Sequence, residues 1–136
     1  MTAEDYFTQH VEKILTSVMQ ALNKDRARRF THSEIAFFEM WWIRQNSAMK
    51  DLVRELVSEG RFEFANGGWV ASDEACPTFT ELLQNILYGH DFLKREFSIT
   101  PKIVWHMDAF GHSSTTAKLF TDLGFEAFFF GRINDT

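Results

Sequence analysis

The segment of residues 103–113, IVWHMDAFGHS, places imidazole and carboxylate groups directly after an apolar run. Side chains two residues apart on a strand point to the same side, so the sequence predicts that His106 and Asp108 project together. A histidine and a carboxylate on one side can bind a metal ion, or the histidine can orient the acid. The structural alternative is that His106 is a hydrogen-bonded core residue and that Asp108 caps the following turn. Two ligands would leave a zinc site incomplete, so this pair alone does not decide between the two.

Further charged groups follow two other segments. Asp73 and Glu74 come after the turn at residues 66–69 and are a pair of acids of the kind used in general acid–base catalysis. Such a pair is more often a solvated helix N-terminus, stabilised by the helix dipole. Arg132 directly follows residues 128–131, FFFG, and can donate charged hydrogen bonds to an oxygen-rich ligand. A surface arginine at a strand end is equally common.

The remaining chemically reactive residues have no partner at a spacing typical of a site. We interpret His10, His32 and His90 as structural, and Cys76 as inert. A single cysteine excludes an internal disulfide framework. The aromatic residues 41–42 and 128–130 are predicted to lie in the core, because aromatic burial is commoner than a sugar-binding platform.

Hydrophobic periodicity predicts helices and strands that alternate along most of the chain. The predicted strands are residues 29–33, 61–65, 102–107 and 126–130. The predicted helices are residues 3–23, 34–46, 52–57, 79–93 and 115–123, and Thr78 is the predicted N-cap of the fourth. Strands separated by helices indicate parallel pairing with right-handed crossovers, and therefore an α/β fold.

Three of the predicted strands end in polar segments that contain glycine, at residues 66–68, 108–111 and 131–132. The carboxyl ends of parallel strands lie on one rim of a sheet or barrel, where ligands bind. Asp108 is therefore predicted to lie at this rim, beside the ends of the neighbouring strands.

The composition sets the class of protein. The chain has 136 residues, of which 45% are hydrophobic, including 15 Phe and 4 Trp, so one domain is expected and disorder is excluded. Such a high aromatic content in a short chain is typical of a piece of a larger domain.

The net charge is −5 and the basic residues are scattered, which makes nucleic acid an unfavourable partner. No apolar stretch has the length needed to span a bilayer. Residues 134–136, NDT, match a glycosylation acceptor, a motif that chance often produces.

Four segments together resemble a known family. They are FTHSEIAFFEMWW, RFEFANGGWVASDEA, WHMDAFGHS and LGFEAFFFGR, and they resemble the amino-terminal catalytic domain of glycoside hydrolase family 38, in particular its lysosomal-type alpha-mannosidases. The resemblance covers nearly the whole chain in the family's order and spacing. Four linked motifs make it far more specific than any one of them.

The resemblance implies a fold and an activity. Residues 1–136 would be part of the N-terminal catalytic domain and would supply a parallel-stranded portion of a seven-stranded α/β barrel. The enzyme would remove terminal alpha-linked mannose from oligosaccharides with retention of configuration, using zinc at the barrel rim, in the lysosome or another compartment of the secretory pathway.

The resemblance also implies roles for individual residues. Asp108 falls on the family's nucleophile, which also binds the zinc. Phe110 falls on an aromatic residue that borders the sugar, and Arg132 on an active-site arginine. His106 or His112 is expected to orient the nucleophilic carboxylate by hydrogen bonding.

The chain departs from the family pattern in two respects. Ala109 stands where proline is usual, so the turn after Asp108 is expected to be looser. The family's other zinc ligands, an H-x-D pair upstream and a histidine far downstream, and its acid/base carboxylate are absent from these 136 residues. We therefore expect Met1 to be an internal methionine of a longer protein, and this chain to be inactive by itself.

Two other classes of function are compatible with the composition and motifs. One is a non-catalytic α/β interaction module. The other is a different metal-dependent hydrolase that uses both His106 and Asp108.

Overall fold

The computed structural model describes residues 1–133, so the acceptor motif at residues 134–136 lies outside the described residues. The strands are β1 (Phe30–His32), β2 (Phe62–Phe64), β3 (Ile103–His106) and β4 (Ala127–Phe130). The helices are α1 (Ala3–Tyr6), α2 (Glu12–Lys24), α3 (Ile35–Trp42), α4 (Ser47–Ser58), α5 (Phe79–Phe97) and α6 (Ser114–Asp122). A π-helical stretch, Phe7–Val11, joins α1 to α2.

The helix boundaries follow from side-chain caps. Asn46 accepts a hydrogen bond from the Met49 N–H and begins α4, so the predicted helix of residues 34–46 ends earlier, at Trp42. Thr78 begins α5 with a capping box that it forms with Glu81, as the sequence predicts for an N-cap. Ser113 is the N-cap of α6 and accepts a hydrogen bond from the Thr115 N–H.

The strands form two parallel pairs, β1 with β2 and β3 with β4. A backbone hydrogen bond from the Asn66 N–H to the Ile103 carbonyl, 2.7 Å long, connects the end of β2 to the start of β3. Parallel strands joined by helical segments confirm the predicted α/β class.

The larger core packs helices against β1 and β2. Phe38 of α3 is fully buried at its centre, with the Phe64 ring 4.9 Å away in an edge-to-face contact and the Phe62 ring at 5.8 Å. Trp41 and Trp42 are buried in the same core, as predicted. This aromatic packing fixes the position of the first strand pair.

A smaller core lies beneath the second pair. Val104 of β3 is buried there with Ile86 of α5 and Phe120 of α6. On the opposite side of β3 and β4, Trp105 and Phe129 are half exposed. The prediction that residues 128–130 all lie in the core is therefore wrong, because Phe129 points away from this core and Phe130, at the end of the strand, is 46% exposed. None of the helices within residues 1–133 is long and apolar enough to cross a membrane.

Candidate functional site

A cleft of about 300 Å³ lies where β1, β2 and β3 end. Its walls come from the segments that follow these strands, including Ser33 after β1, Asn66 and Asp73 after β2, and residues 105–110 at the end of β3. His106, Asp108 and Phe110, which sequence reasoning singled out, all line it.

Asp108, Phe110 and Arg132 are in contact. Arg132 Nη2 donates a hydrogen bond to Asp108 Oδ1 over 2.6 Å, and the Arg132 guanidinium carbon lies 4.6 Å from the centre of the Phe110 ring. The Asp108 side chain is 78% exposed, so its carboxylate is both oriented and accessible. The structure thus brings together the three residues that the family pattern assigns to nucleophile and substrate binding.

The backbone at Arg132 is strained. Its φ is +59°, in the left-handed region, which costs a residue with a side chain about 1–2 kcal/mol. Such a conformation persists only where the surroundings enforce it, and it is commonest at functional sites. The strain accompanies the position of the guanidinium between Asp108 and Phe110.

His106 and Asp108 line the same cleft but differ in burial. The strand ends at His106, so the two-residue alternation that predicted a common direction stops before Asp108 is reached. The His106 residue is only 6% exposed and packs against the Phe120 and Phe128 rings. Its Nε2 lies 3.1 Å from Glu74 Oε1. Within residues 1–133 no hydrogen bond joins Asp108 to either His106 or His112, so their expected role in orienting Asp108 stays a prediction.

The burial of Glu74 is the feature of the site that the sequence did not predict. Its side chain is 5% exposed, whereas the sequence favoured a solvated helix N-terminus for Asp73 and Glu74. Glu74 Oε2 accepts a hydrogen bond from the Ser113 N–H over 2.5 Å, and Oε1 lies 3.4 Å from His112 Nδ1. No local signal predicts these contacts, because the partners lie 32 to 39 residues away along the chain.

The donor atoms of Glu74, His106 and His112 lie within 4.8 Å of one another, so this group could hold a metal ion. One carboxylate and two imidazoles are a donor set that zinc accepts. Among the described residues, no group of three or more potential ligands includes Asp108. The carboxylate of Asp108 is of the right chemical type and accessible, but it would be a single ligand from this chain.

Two further histidines hold the loops of the rim by binding backbone carbonyls. His90 Nε2 donates to the Asn66 carbonyl over 3.0 Å, and His32 Nε2 donates to the Glu34 carbonyl over 2.6 Å. Burial lowers the pKa of both histidines below the usual value, and the hydrogen bond to the carbonyl opposes this only in part. At neutral pH both rings are therefore uncharged and donate through Nε2.

The loop between β2 and α5 is held close to the α5 backbone. A Cβ atom added to Gly89 would lie 1.9 Å from the Gly67 carbonyl oxygen, so this approach requires glycine. Asn85 of α5 exchanges two side-chain hydrogen bonds with the backbone of Val70, each 2.9 Å long. These contacts fix the loop that carries Glu74.

Comparison with known proteins agrees with the motifs of the site. The family described as glycosyl hydrolases family 38 N-terminal domain matches residues 1–135. The lysosomal alpha-mannosidase of Homo sapiens is 45% identical over 143 residues, which cover 98% of this chain and 14% of that protein. The lysosomal alpha-mannosidase of Bos taurus is 46% identical over 126 residues, covering 91% of this chain and 13% of that protein. Alpha-mannosidase C of Dictyostelium discoideum is 38% identical over 134 residues, covering 98% and 12%.

The chain therefore spans only about one seventh of the human relative, while nearly all of it is matched. The resemblance drawn from the four motifs is confirmed. The chain belongs to the family of glycosyl hydrolases family 38 N-terminal domains.

Proposed function

We propose that the whole protein, meaning this chain together with any sequence that adjoins it in the gene, hydrolyses terminal alpha-linked mannose in oligosaccharides. The relatives that match nearly all of this chain are named alpha-mannosidases. The observation that carries the proposal is the accessible Asp108 carboxylate, oriented by Arg132 at the edge of a cleft. The relatives named lysosomal support a lysosomal or other secretory compartment for the whole protein.

In this proposal Asp108 is the nucleophile of a retaining reaction. Such reactions use two carboxyl groups about 5 Å apart, one that attacks and one that protonates the leaving oxygen. An Asp108 oxygen forms a bond to the anomeric carbon as the bond to the leaving oxygen breaks, and the second carboxyl group supplies the proton. Water then cleaves the glycosyl ester, and the same carboxyl group takes the proton from that water. This second carboxyl group is proposed to come from the rest of the whole protein.

Arg132 and Phe110 prepare Asp108 for this step. The hydrogen bond from Arg132 fixes the direction of one carboxylate oxygen and leaves the exposed carboxylate facing the cleft. The Phe110 ring, 65% exposed, presents an apolar surface on which the carbon face of a sugar can pack.

We also propose that zinc is the metal of the whole protein and that Asp108 is one of its ligands. Carboxylate oxygens are ordinary zinc ligands, and three further donors would come from outside this chain. When bound, zinc would bind sugar hydroxyls and stabilise developing charge. The group of Glu74, His106 and His112 is not required for this site.

We further propose that the two strand pairs belong to a seven-stranded α/β barrel. The hydrogen bond between Asn66 and Ile103 supports a continuous order from β1 to β4. The half-exposed Trp105 and Phe129 side chains would face the inside of such a barrel. Since a barrel and its acid/base carboxylate would need further chain, residues 1–136 expressed alone are expected to show no mannosidase activity.

The test is Asp108→Asn in the whole protein, assayed with a chromogenic aryl alpha-mannoside. Loss of the nucleophile should lower kcat by a factor of about 10³ or more. Asp91→Asn is the matched control, since Asp91 is also 78% exposed and also bound to an arginine, Arg95, but lies on α5 away from the cleft. Full activity in Asp108→Asn would exclude the proposed mechanism, and unchanged cellular function of that variant would favour an interaction module.

A further inference from the structure

We infer that Glu74 is a positioning residue of the candidate active site, holding in register the two segments that carry Asp108 and Arg132. The inference rests on the proposed function. It concerns a residue that does not reach the sugar and acts through backbone and side-chain contacts.

The Glu74 carboxylate is buried, with its side chain 5% exposed. A buried carboxylate is stable only when its oxygens are hydrogen-bonded or paired with cations. Both Glu74 oxygens meet partners: Oε2 accepts from the Ser113 N–H, and Oε1 lies 3.1 Å from His106 Nε2. Glu74 is therefore held from two directions on a loop that is itself fixed to α5.

Through its hydrogen bond from the Ser113 N–H, Glu74 anchors the segment that carries Asp108. Ser113 is the N-cap of α6, so its N–H points out of the helix start, where the helix dipole also favours a negative group. Asp108 lies in the short segment between β3 and this cap. With β3 fixed by its strand pairing and Ser113 fixed by Glu74, both ends of the segment that carries Asp108 are anchored.

The His112 ring lies between Glu74 and the segment that carries Arg132. A carbonyl oxygen only accepts, so His112 Nε2 donates its hydrogen to the Gly131 carbonyl over 2.7 Å. The other ring nitrogen, Nδ1, lies 3.4 Å from Glu74 Oε1, a contact that is attractive when Nδ1 also carries a hydrogen. Gly131 directly precedes Arg132, whose backbone is strained, and so the ring of His112 transmits the position of Glu74 to the end of β4.

The same three side chains form the group that could hold a metal ion. The contacts favour the positioning role, because both Glu74 oxygens and His112 Nε2 are already engaged with protein donors and acceptors. A metal ion would have to replace the direct contact between Glu74 and His106.

The experiment compares Glu74→Gln with Val53→Ala in the whole protein. Val53 is fully buried in α4, away from the cleft, so its truncation lowers stability without touching the site. At a temperature where both variants are folded, Glu74→Gln should lower kcat for the aryl mannoside about 10- to 100-fold, because small misplacement of reacting groups is costly. KM should change less than kcat, and Val53→Ala should keep the wild-type kcat.

If Glu74→Gln does not accumulate as folded protein, Glu74→Asp replaces it. The charge is kept but the carboxylate is one methylene shorter, so kcat should again fall relative to Val53→Ala. Wild-type kcat per folded enzyme in the variant tested would overturn the inference, and if Asp108→Asn were inactive in the same assay the proposed function would remain.

Measured zinc content distinguishes the positioning role of Glu74 from a metal site formed by Glu74, His106 and His112. Both Glu74→Gln and the wild type should retain the zinc of the proposed site. Loss of zinc from Glu74→Gln, with zinc retained by Asp108→Asn, would make the group a metal site and would overturn the positioning role.

Discussion

Arg132 Nη2 donates a hydrogen bond to Asp108 Oδ1 over 2.6 Å, and this contact joins the segment after β4 to the segment after β3. The two residues are 24 positions apart in the sequence, and the parallel register that pairs His106 with Phe130 brings them together. The relationship makes several parts of the site separately testable in the whole protein.

Arg132→Lys should lower kcat/KM for an aryl alpha-mannoside by about 10-fold, or about 1.4 kcal/mol, because the substitution weakens the hydrogen bond that orients Asp108 without abolishing it. Lysine keeps the charge but loses the planar group that binds the carboxylate and lies over Phe110. Arg95→Lys on α5 is the control and should leave kcat/KM unchanged. An unchanged kcat/KM in Arg132→Lys would contradict a role for the guanidinium.

Phe110→Ala should raise KM, because the sugar would lose an apolar surface, while the thermal midpoint of unfolding should hardly change. The ring is 65% exposed, and substitutions at such positions usually alter the free energy of unfolding by less than about 0.5 kcal/mol. Tyr88→Ala on α5, where the aromatic residue is 67% exposed, should change neither quantity. Steady-state kinetics and calorimetry on both variants measure this, and equal KM values in the two would rule out sugar packing on Phe110.

His32 makes stability depend on pH. Burial lowers its pKa in the folded state below the value of 6.5 for a free histidine, so the unfolded state binds more protons near and below that pH. The uncharged His32 ring contributes to the free energy of unfolding above the unfolded-state pKa, and this contribution is lost as the pH falls below that value. The thermal midpoint should therefore decrease as the pH is lowered below about 6.5. His32→Gln should flatten this part of the curve, whereas His10→Gln, at an exposed position, should follow the wild type. A wild-type slope in His32→Gln would show that another group titrates.

Gly89→Ala should destabilise the protein and lower kcat. Helix propensity alone would make alanine more stable than glycine by about 1 kcal/mol. The added Cβ would meet the Gly67 carbonyl at 1.9 Å, and overpacking of this kind costs about 1–3 kcal/mol. The sign of the change in the unfolding midpoint therefore shows which effect is larger, helix propensity or the overlap with Gly67. A stabilised variant would show that the loop carrying Glu74 can move away from α5.

Local patterns predicted the elements well because helix and strand periodicity depends on near neighbours. Thr78 as the N-cap of α5, parallel strands and the burial of Trp41 and Trp42 were all predicted and are all observed. The strand ends at His106, so the alternation from which a common direction of His106 and Asp108 was predicted does not extend to Asp108.

The sequence by itself determined the family, through four motifs in a fixed order. The same motifs led to the proposal that Asp108 is the nucleophile and that Phe110 and Arg132 bind the sugar. Only the tertiary structure decided that Glu74 is buried against His106, His112 and Ser113, and that one side of β4 is uncovered. The physical reason is distance along the chain. A carboxylate becomes buried and paired only when separate elements fold against one another, and no local pattern records which elements will meet.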